Sequence, residues 1–248
     1  MFLRSFFYLA IMLETTTKCE QCHNASCIIR INALGEEMKA FLATKHNIQC
    51  KRGQQFILEG APVHGLYFVY KGKAKVVKTG FQGKEQIVRL AKDGEIIGHR
   101  GFGSREAYQI SAVALEDSTL CYFKNDALKQ MLLSFPKLTY DFMLFYAEEL
   151  NLSENKVRKF AQMTVREKVI DSILYMYRKF GQDGDILNIQ LSRKELADLA
   201  GTTDEQVTRT ITSLKNENLI RTQGKQLGVV NIELLRREVL EHNFFLNS

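Results

Sequence analysis

Two prolines, Pro62 and Pro136, are all that the 248 residues contain, so no Pro-rich spacer separates the halves of the chain. Long apolar runs are scarce too. The opening MFLRSFFYLAIML, residues 1–13, holds a run of about eight apolar residues, and a bilayer span needs roughly 20. Arg4 stands before that run as in a weak signal peptide, but no small-x-small cleavage site follows. Residues 1–13 are therefore expected to be a non-native or weak leader segment, the product of an upstream start codon with Met12 as the true beginning. With no membrane-spanning stretch, the expected location is the cytoplasm, without a membrane partner. Catalytic constellations are lacking as well. The central segment offers only His64 and His99 as metal ligands, with no clustered His/Glu set, no nucleophile–base pairing and no Walker-type loop. An enzyme is not expected.

The composition is that of an ordinary globular chain, 45% hydrophobic and 25% charged, long enough for one large or two smaller domains. The net charge of +6 fits an anionic partner. That charge is uneven. Lys156–Lys179 carries seven basic residues against two acids, whereas Ser192–Ser248 carries eight against eight. A basic tail is excluded, and any nucleic-acid reading has to rest on a motif.

From about Ile48 to Phe123 short β-rich runs (QQFILEG, GLYFVYKG, KAKVVKTG, KEQIVRLA, GEIIGH, QISAVAL, STLCYF) alternate with glycines, the pattern of a sandwich or barrel. Gln82-Gly83 reads as a hairpin turn region. From Leu138 to Thr164 the period becomes helical. Phe142, Tyr146, Leu150, Ser153, Val157 and Phe160 follow one another in steps of 4, 4, 3, 4 and 3, close to a heptad seam. This predicts a helix that pairs with its own copy; the alternative is an amphipathic helix packed on its own domain. A second helix is predicted over Val165–Phe180.

The strongest motif is LSRKELADLAGTTDEQVTRTITSLKNENLI, Leu191–Ile220. Ser192 with Glu195 makes a capping box that starts a helix. Leu196, Leu199 and Ala200 form its apolar face, and Gly201 ends it. Thr203 with Gln206 makes a second box, and the next helix buries Val207, Ile211 and Leu214. Two capped helices around a glycine turn form a helix-turn-helix. Arg221–Ile232 reads as a β-hairpin wing around Gly224 and Gly228. The expected DNA-facing residues are Ser192, Thr203, Asp204, Glu205, Thr208 and Arg209. Arginine matches the two acceptors of guanine, and glutamate the amino donor of cytosine. Glu205 and Arg209, at i and i+4, can alternatively form only a surface ion pair.

On these residues the chain resembles the Crp/Fnr superfamily of bacterial transcription regulators, over nearly all of Cys19 to about Glu233. The roll signature stands as KRGQQFILEGAPVHGLYFVYKGKAKVVK followed by DGEIIGH, and the recognition-helix signature E-x-V-[ST]-R as Glu205-Gln206-Val207-Thr208-Arg209. The resemblance implies an α+β fold: a cyclic-nucleotide-binding-type β-roll (31–135), a long dimerisation helix (136–164) and a C-terminal winged helix-turn-helix (165–248), with a cysteine-rich segment (14–30) before them. It implies a homodimer on double-stranded DNA, reading an inverted repeat of TTGA-like half-sites through Glu205 and Arg209, with RNA polymerase as a further partner. The cyclic-nucleotide branch does not carry over. That branch places a glutamate after the glycine of its phosphate turn and an Arg-Ser pair on the roll; here His99 follows Gly98, and Tyr108 and Gln109 align with the pair. A buried phosphate then lacks its guanidinium, so cAMP is not the expected effector.

Five cysteines remain. Cys19, Cys22 and Cys27 form C-x2-C-x4-C, which in a cytosolic protein points to metal or redox chemistry. Fnr-type oxygen sensors carry such a trio plus a distant cysteine on the roll, and Cys121 stands at that place. The sensors have five residues between the second and third cysteines; here there are four. An iron–sulfur cluster on Cys19, Cys22, Cys27 and Cys121 is one reading, zinc with His23 taking part another, and metal-free or redox-active thiols a third. Cys50 reads as a small buried hydrophobe. The alternative to an oxygen or redox switch is a regulator of the same fold that senses an unknown small molecule in the β-roll pocket.

Overall fold

The computed structural model describes residues 18–33, 35–103 and 106–240, so the leader reading of residues 1–13 lies outside the described part. The chain divides into two units. The first runs to Lys84 and again over Val88–Tyr146; the second takes Glu85–Ile87 and everything from Ala147.

In the first unit a 3-10 turn, Cys19–Gln21, leads into α1 (Ile28–Ile31) and α2 (Glu36–Leu42). Eight strands follow: β1 (His46–Cys50), β2 (Gln55–Ile57), β3 (Gly65–Lys71), β4 (Ala74–Thr79), β5 (Glu85–Ala91), β6 (Ile96–Ile97), β7 (Ser111–Ala114) and β8 (Ser118–Lys124). They form two four-stranded sheets, ordered β1-β8-β3-β6 and β2-β7-β4-β5. The expected turn at Gln82-Gly83 is a short 3-10 turn, Phe81–Gly83, in which Gln82 takes a φ of 58°. Then come α3 (Asn125–Ser134) and the 27-residue α4 (Pro136–Gln162).

The pleat decides what each strand residue meets, because alternate side chains leave opposite faces of a sheet. On β3, Leu66 and Phe68 join a core with Ile29, Met38, Leu128 and Phe142, on the face covered by helices. Val69 enters the other core, between the sheets, with Cys50, Ile57 and Ala112. On β8, Cys121 and Phe123 share the helix-covered face while Leu120 lies between the sheets. The parity of β8 thus turns Cys121 toward the N-terminal segment.

The second unit is built from α5 (Val165–Phe180), the short β9 (Gln182–Asp183) and β10 (Ile186–Leu187), α6 (Arg193–Ala200), α7 (Asp204–Asn216), β11 (Ile220–Gln223), β12 (Gln226–Val229) and α8 (Ile232–Glu238). Thr164 starts α5 with a capping box to Glu167. β11 and β12 form the wing hairpin. Gly224, with φ of 58°, makes its turn. Gly228 is not a turn residue: it lies in β12, where a Cβ would fall 1.6 Å from the Asp185 carbonyl oxygen. Only a residue without a side chain allows that approach. No described helix is long and apolar enough to cross a membrane.

Candidate DNA interface and cysteine cavity

The helix-turn-helix is set by caps and one glycine. The Ser192 hydroxyl accepts from Glu195 N while the Glu195 carboxylate accepts from Ser192 N at 2.9 Å, a reciprocal box that fixes the start of α6. Gly201 takes the left-handed C-cap conformation (φ 65°). Thr203 accepts from Gln206 N at the start of α7. The second box is only half made, since the Gln206 side chain pairs with the Thr202 hydroxyl instead.

α7 buries Val207, Ile211 and Leu214 and leaves Asp204, Glu205, Thr208 and Arg209 exposed. Arg209 Nη2 donates to Glu205 Oε1 at 2.6 Å, with both side chains more than 70% exposed. An ion pair so exposed contributes about 0.3–0.5 kcal/mol, and a base edge can displace it at little cost. The far end of α7 is clamped by Arg166 of α5. Its guanidinium donates to Glu217 Oε2 at 2.6 Å and to Glu238 at 2.7 Å, and also reaches the Ser213 hydroxyl. No pattern in the sequence signals this clamp, because its members lie on three separate elements.

In the first unit, Cys19, Cys22, Cys27 and Cys121 all line one small cavity. Strand register accounts for the fourth thiol: Cys121 lies opposite Asn47 on β1 and Phe68 on β3. Two side chains hold the cysteine loop, one of them to the roll. Asn24 Nδ2 donates to the Tyr70 carbonyl at 2.7 Å, and Arg30 Nε donates to the Cys22 carbonyl at 2.6 Å. Cys27 is the N-cap residue of α1.

Burial pushes the Cys121 thiol up to about 12 and raises the Cys19 and Cys27 thiols as well. These groups are protonated at neutral pH and become thiolates only when a metal displaces the protons. Among the described residues, no group of three or more His, Cys, Asp or Glu stands in a metal-ready array. The donor chemistry nevertheless fits a thiolate-held centre: four cysteines line one cavity and, among the described residues, no carboxylate does. His23, the fourth zinc ligand considered above, is exposed and does not line the cavity. Cys50 is 2% exposed within the core between the sheets, and burial pushes it up to about 11.

Along α4 the apolar residues fall on two faces. Phe142 is 3% exposed and belongs to the core of its own unit, so the residue at the head of the expected seam points inward. Its neighbour Met143 is 56% exposed, and Leu150 and Val157 are 60% and 70% exposed. Half-buried Tyr146, Ser153 and Phe160 lie between or beside them.

Residues 47–135 match the cyclic nucleotide-binding domain family, and residues 167–238 match the Crp-like helix-turn-helix domain family. The chain belongs to the Crp/Fnr superfamily. It is similar to the probable transcriptional regulator flp of Lacticaseibacillus casei, 26% identical over 85% of this chain and 96% of the relative. It is also similar to the transcriptional activator protein Anr of Pseudomonas protegens, 24% identical over 86% and 88% of the two chains. Among solved structures, FixK2 from Bradyrhizobium japonicum superposes with a TM-score of 0.70 at 21% identity, over 78% of this chain and 96% of that one. This Crp/Fnr protein is a DNA-binding transcription regulator, and its relatives are regulators rather than enzymes.

Within the Crp/Fnr roll, Tyr108 and Gln109 are the two residues expected from the sequence to stand in place of the nucleotide-binding Arg-Ser pair. Tyr108 is 5% exposed and its hydroxyl donates to the Gly65 carbonyl at 2.7 Å. Gln109 turns back on the Ala107 carbonyl at 3.3 Å. His99, after Gly98, is buried with its ring edge-on to Phe145, centroids 4.9 Å apart. The Tyr146 hydroxyl donates to the His99 carbonyl at 2.6 Å.

Proposed function

We propose that this Crp/Fnr regulator acts in the cytoplasm as a homodimer on an inverted repeat of TTGA-like half-sites. In this reading oxygen or redox state switches it through an iron–sulfur cluster held by Cys19, Cys22, Cys27 and Cys121. The observation that carries the reading is that the N-terminal trio Cys19, Cys22 and Cys27 and the distant Cys121 line one cavity. A cluster bound there supplies a centre that oxygen destroys. Thr203 caps the recognition helix, Ser192 fixes the helix before it, and Asp204, Glu205, Thr208 and Arg209 face the bases. RNA polymerase is the further partner that a transcription regulator of this family implies.

The chain also supplies a route from the cavity to α4. Cys27 begins α1, and Asn32 ends it. Asn32 Nδ2 donates to Asp141 Oδ2 on α4 at 2.8 Å, while Lys137 donates to Asn32 Oδ1 at 3.2 Å and to Asp141 at 2.7 Å. A change in the position of Cys27 is five residues from a side chain bonded to the dimer helix. Asn32→Ala should keep its iron yet weaken anaerobic operator binding about tenfold, the effect of losing one charge-assisted hydrogen bond. Iron analysis beside a gel-shift titration reads both quantities.

Selection of operators from random duplexes under anaerobic conditions tests the DNA reading. Half-sites should emerge with centres about 34 Å apart, one helical turn. Arg209→Ala should cost roughly 1–3 kcal/mol at its guanine and relax preference there. A loss equal on all sequences would make Arg209 a phosphate contact and remove the base-reading role.

A further inference from the structure

The charged residues that line the cysteine cavity are Arg30 and Lys45, both cationic. Arg30 has a local task, since its Nε holds the Cys22 carbonyl. Lys45 is the unusual one. It is 7% exposed, so its charge acts on the neighbouring thiols with little screening by water.

The fold explains how it gets there. Lys45 lies between α2 and β1, its N–H donating to the Leu42 carbonyl at the end of α2. It stands two residues before Asn47, which lies opposite Cys121 in the strand register. Lys45 lines the cavity together with Cys19 and Cys121, and its positive charge favours the thiolate forms of both.

We propose that Lys45 is the built-in counter-charge of the thiolate centre, a positioning residue that stabilises metal–sulfur binding by offsetting the negative charge four thiolates bring into the protein. The inference rests on the reading that these four cysteines hold such a centre. Burying an anionic centre is costly unless a cation is buried beside it, and the cavity lining provides one. The same charge favours the reduced, more negative form of a redox-active centre, so Lys45 raises its midpoint potential.

The test compares the full-length protein with Lys45→Met, close in shape but neutral, and Lys45→Arg, which restores the charge. Co²⁺ alone, titrated anaerobically and followed by its thiolate absorption, is the first probe. Lys45→Met should bind it at least tenfold more weakly, with Lys45→Arg close to the parent. The second readout is the midpoint of the anaerobically reconstituted iron centre, which should move negative in Lys45→Met and return in Lys45→Arg. Both variants should still melt cooperatively without metal, which separates a loss of binding from a loss of fold. Unchanged Co²⁺ affinity and midpoint in Lys45→Met would overturn the proposal. So would weak binding that Lys45→Arg does not rescue, since that marks a packing role. If the parent itself takes up neither Co²⁺ nor iron, the cluster reading fails first and takes the role of Lys45 with it. A parent that binds metal beside an indifferent Lys45→Met sinks the Lys45 proposal alone.

Discussion

Replacing Leu150 by aspartate is expected to split the regulator into monomers and abolish operator binding. Met143, Leu150 and Val157 stand 56%, 60% and 70% exposed at intervals of seven residues, with half-buried Tyr146 and Ser153 between them. That is the 3-4 alternation of a helix seam. A row of large apolar side chains left in water along one helix is the mark of an interaction surface. Two-fold pairing of α4 would bring each Leu150 against its copy, so Leu150→Asp places two carboxylates in an apolar seam at a cost of several kcal/mol. A loss of about 5.5 kcal/mol is roughly ten-thousandfold in the dimer constant, enough to dissociate a micromolar sample. Without the dimer only one half-site is held at a time. Sedimentation gives the mass, and a gel shift on the selected operator gives the binding. Phe142→Asp separates seam from core: Phe142 is 3% exposed inside its own unit, so that change should lower the melting temperature sharply. A Leu150→Asp protein that stays dimeric would remove α4 from the interface.

What could be read from the sequence follows from how local each signal is. Strands β2 to β8 were legible because glycines separate runs of β-branched and aromatic residues. β1 was not, since HNIQC is polar and short, and it owes its place to pairing with β8. Ser192 and Glu195 announce α6 because a cap is a contact between residues three apart. Thr203 and Gln206 have the same spacing, but Thr202 takes the Gln206 side chain. The seam was misphased at its start for a related reason. Phe142 and Met143 are adjacent apolar residues on different faces of α4, and the core that buries Phe142 comes from remote elements. The cysteine trio is visible in its spacing, whereas Cys121 was found only through family likeness. Nothing local says that the pleat of β8 turns Cys121 toward the N-terminal segment. Lys45 gives no signal at all, because a lone lysine between a helix and a strand is ordinarily solvated.

Cys121→Ala is expected to remove the metal centre as fully as Cys22→Ala, while Cys50→Ala keeps it. The three thiols are all buried or nearly so, so exposure does not separate them; location does. Cys19, Cys22, Cys27 and Cys121 share one cavity, and Cys50 lies instead in the core between the two sheets. A four-iron cluster needs four thiolates, so losing the strand-borne ligand should cost the anaerobic protein at least tenfold in iron and bleach its visible absorption. The alanine in place of Cys50 removes only a small buried group and should cost about 1 kcal/mol of stability, with iron unchanged. The DNA readout should follow the iron. Anaerobic Cys121→Ala should bind the operator as weakly as the parent protein does after exposure to air, about a hundredfold below the anaerobic parent. That difference is about 2.7 kcal/mol, far less than metal binding can supply to a folded site. Iron and sulfide analysis with gel shifts on the three variants gives the answer. A Cys121→Ala protein with the full visible spectrum would break the four-cysteine site. A parent that is colourless and iron-free after strictly anaerobic purification, with DNA affinity that responds to an added metabolite, would move the sensor from the cysteine cavity to the β-roll.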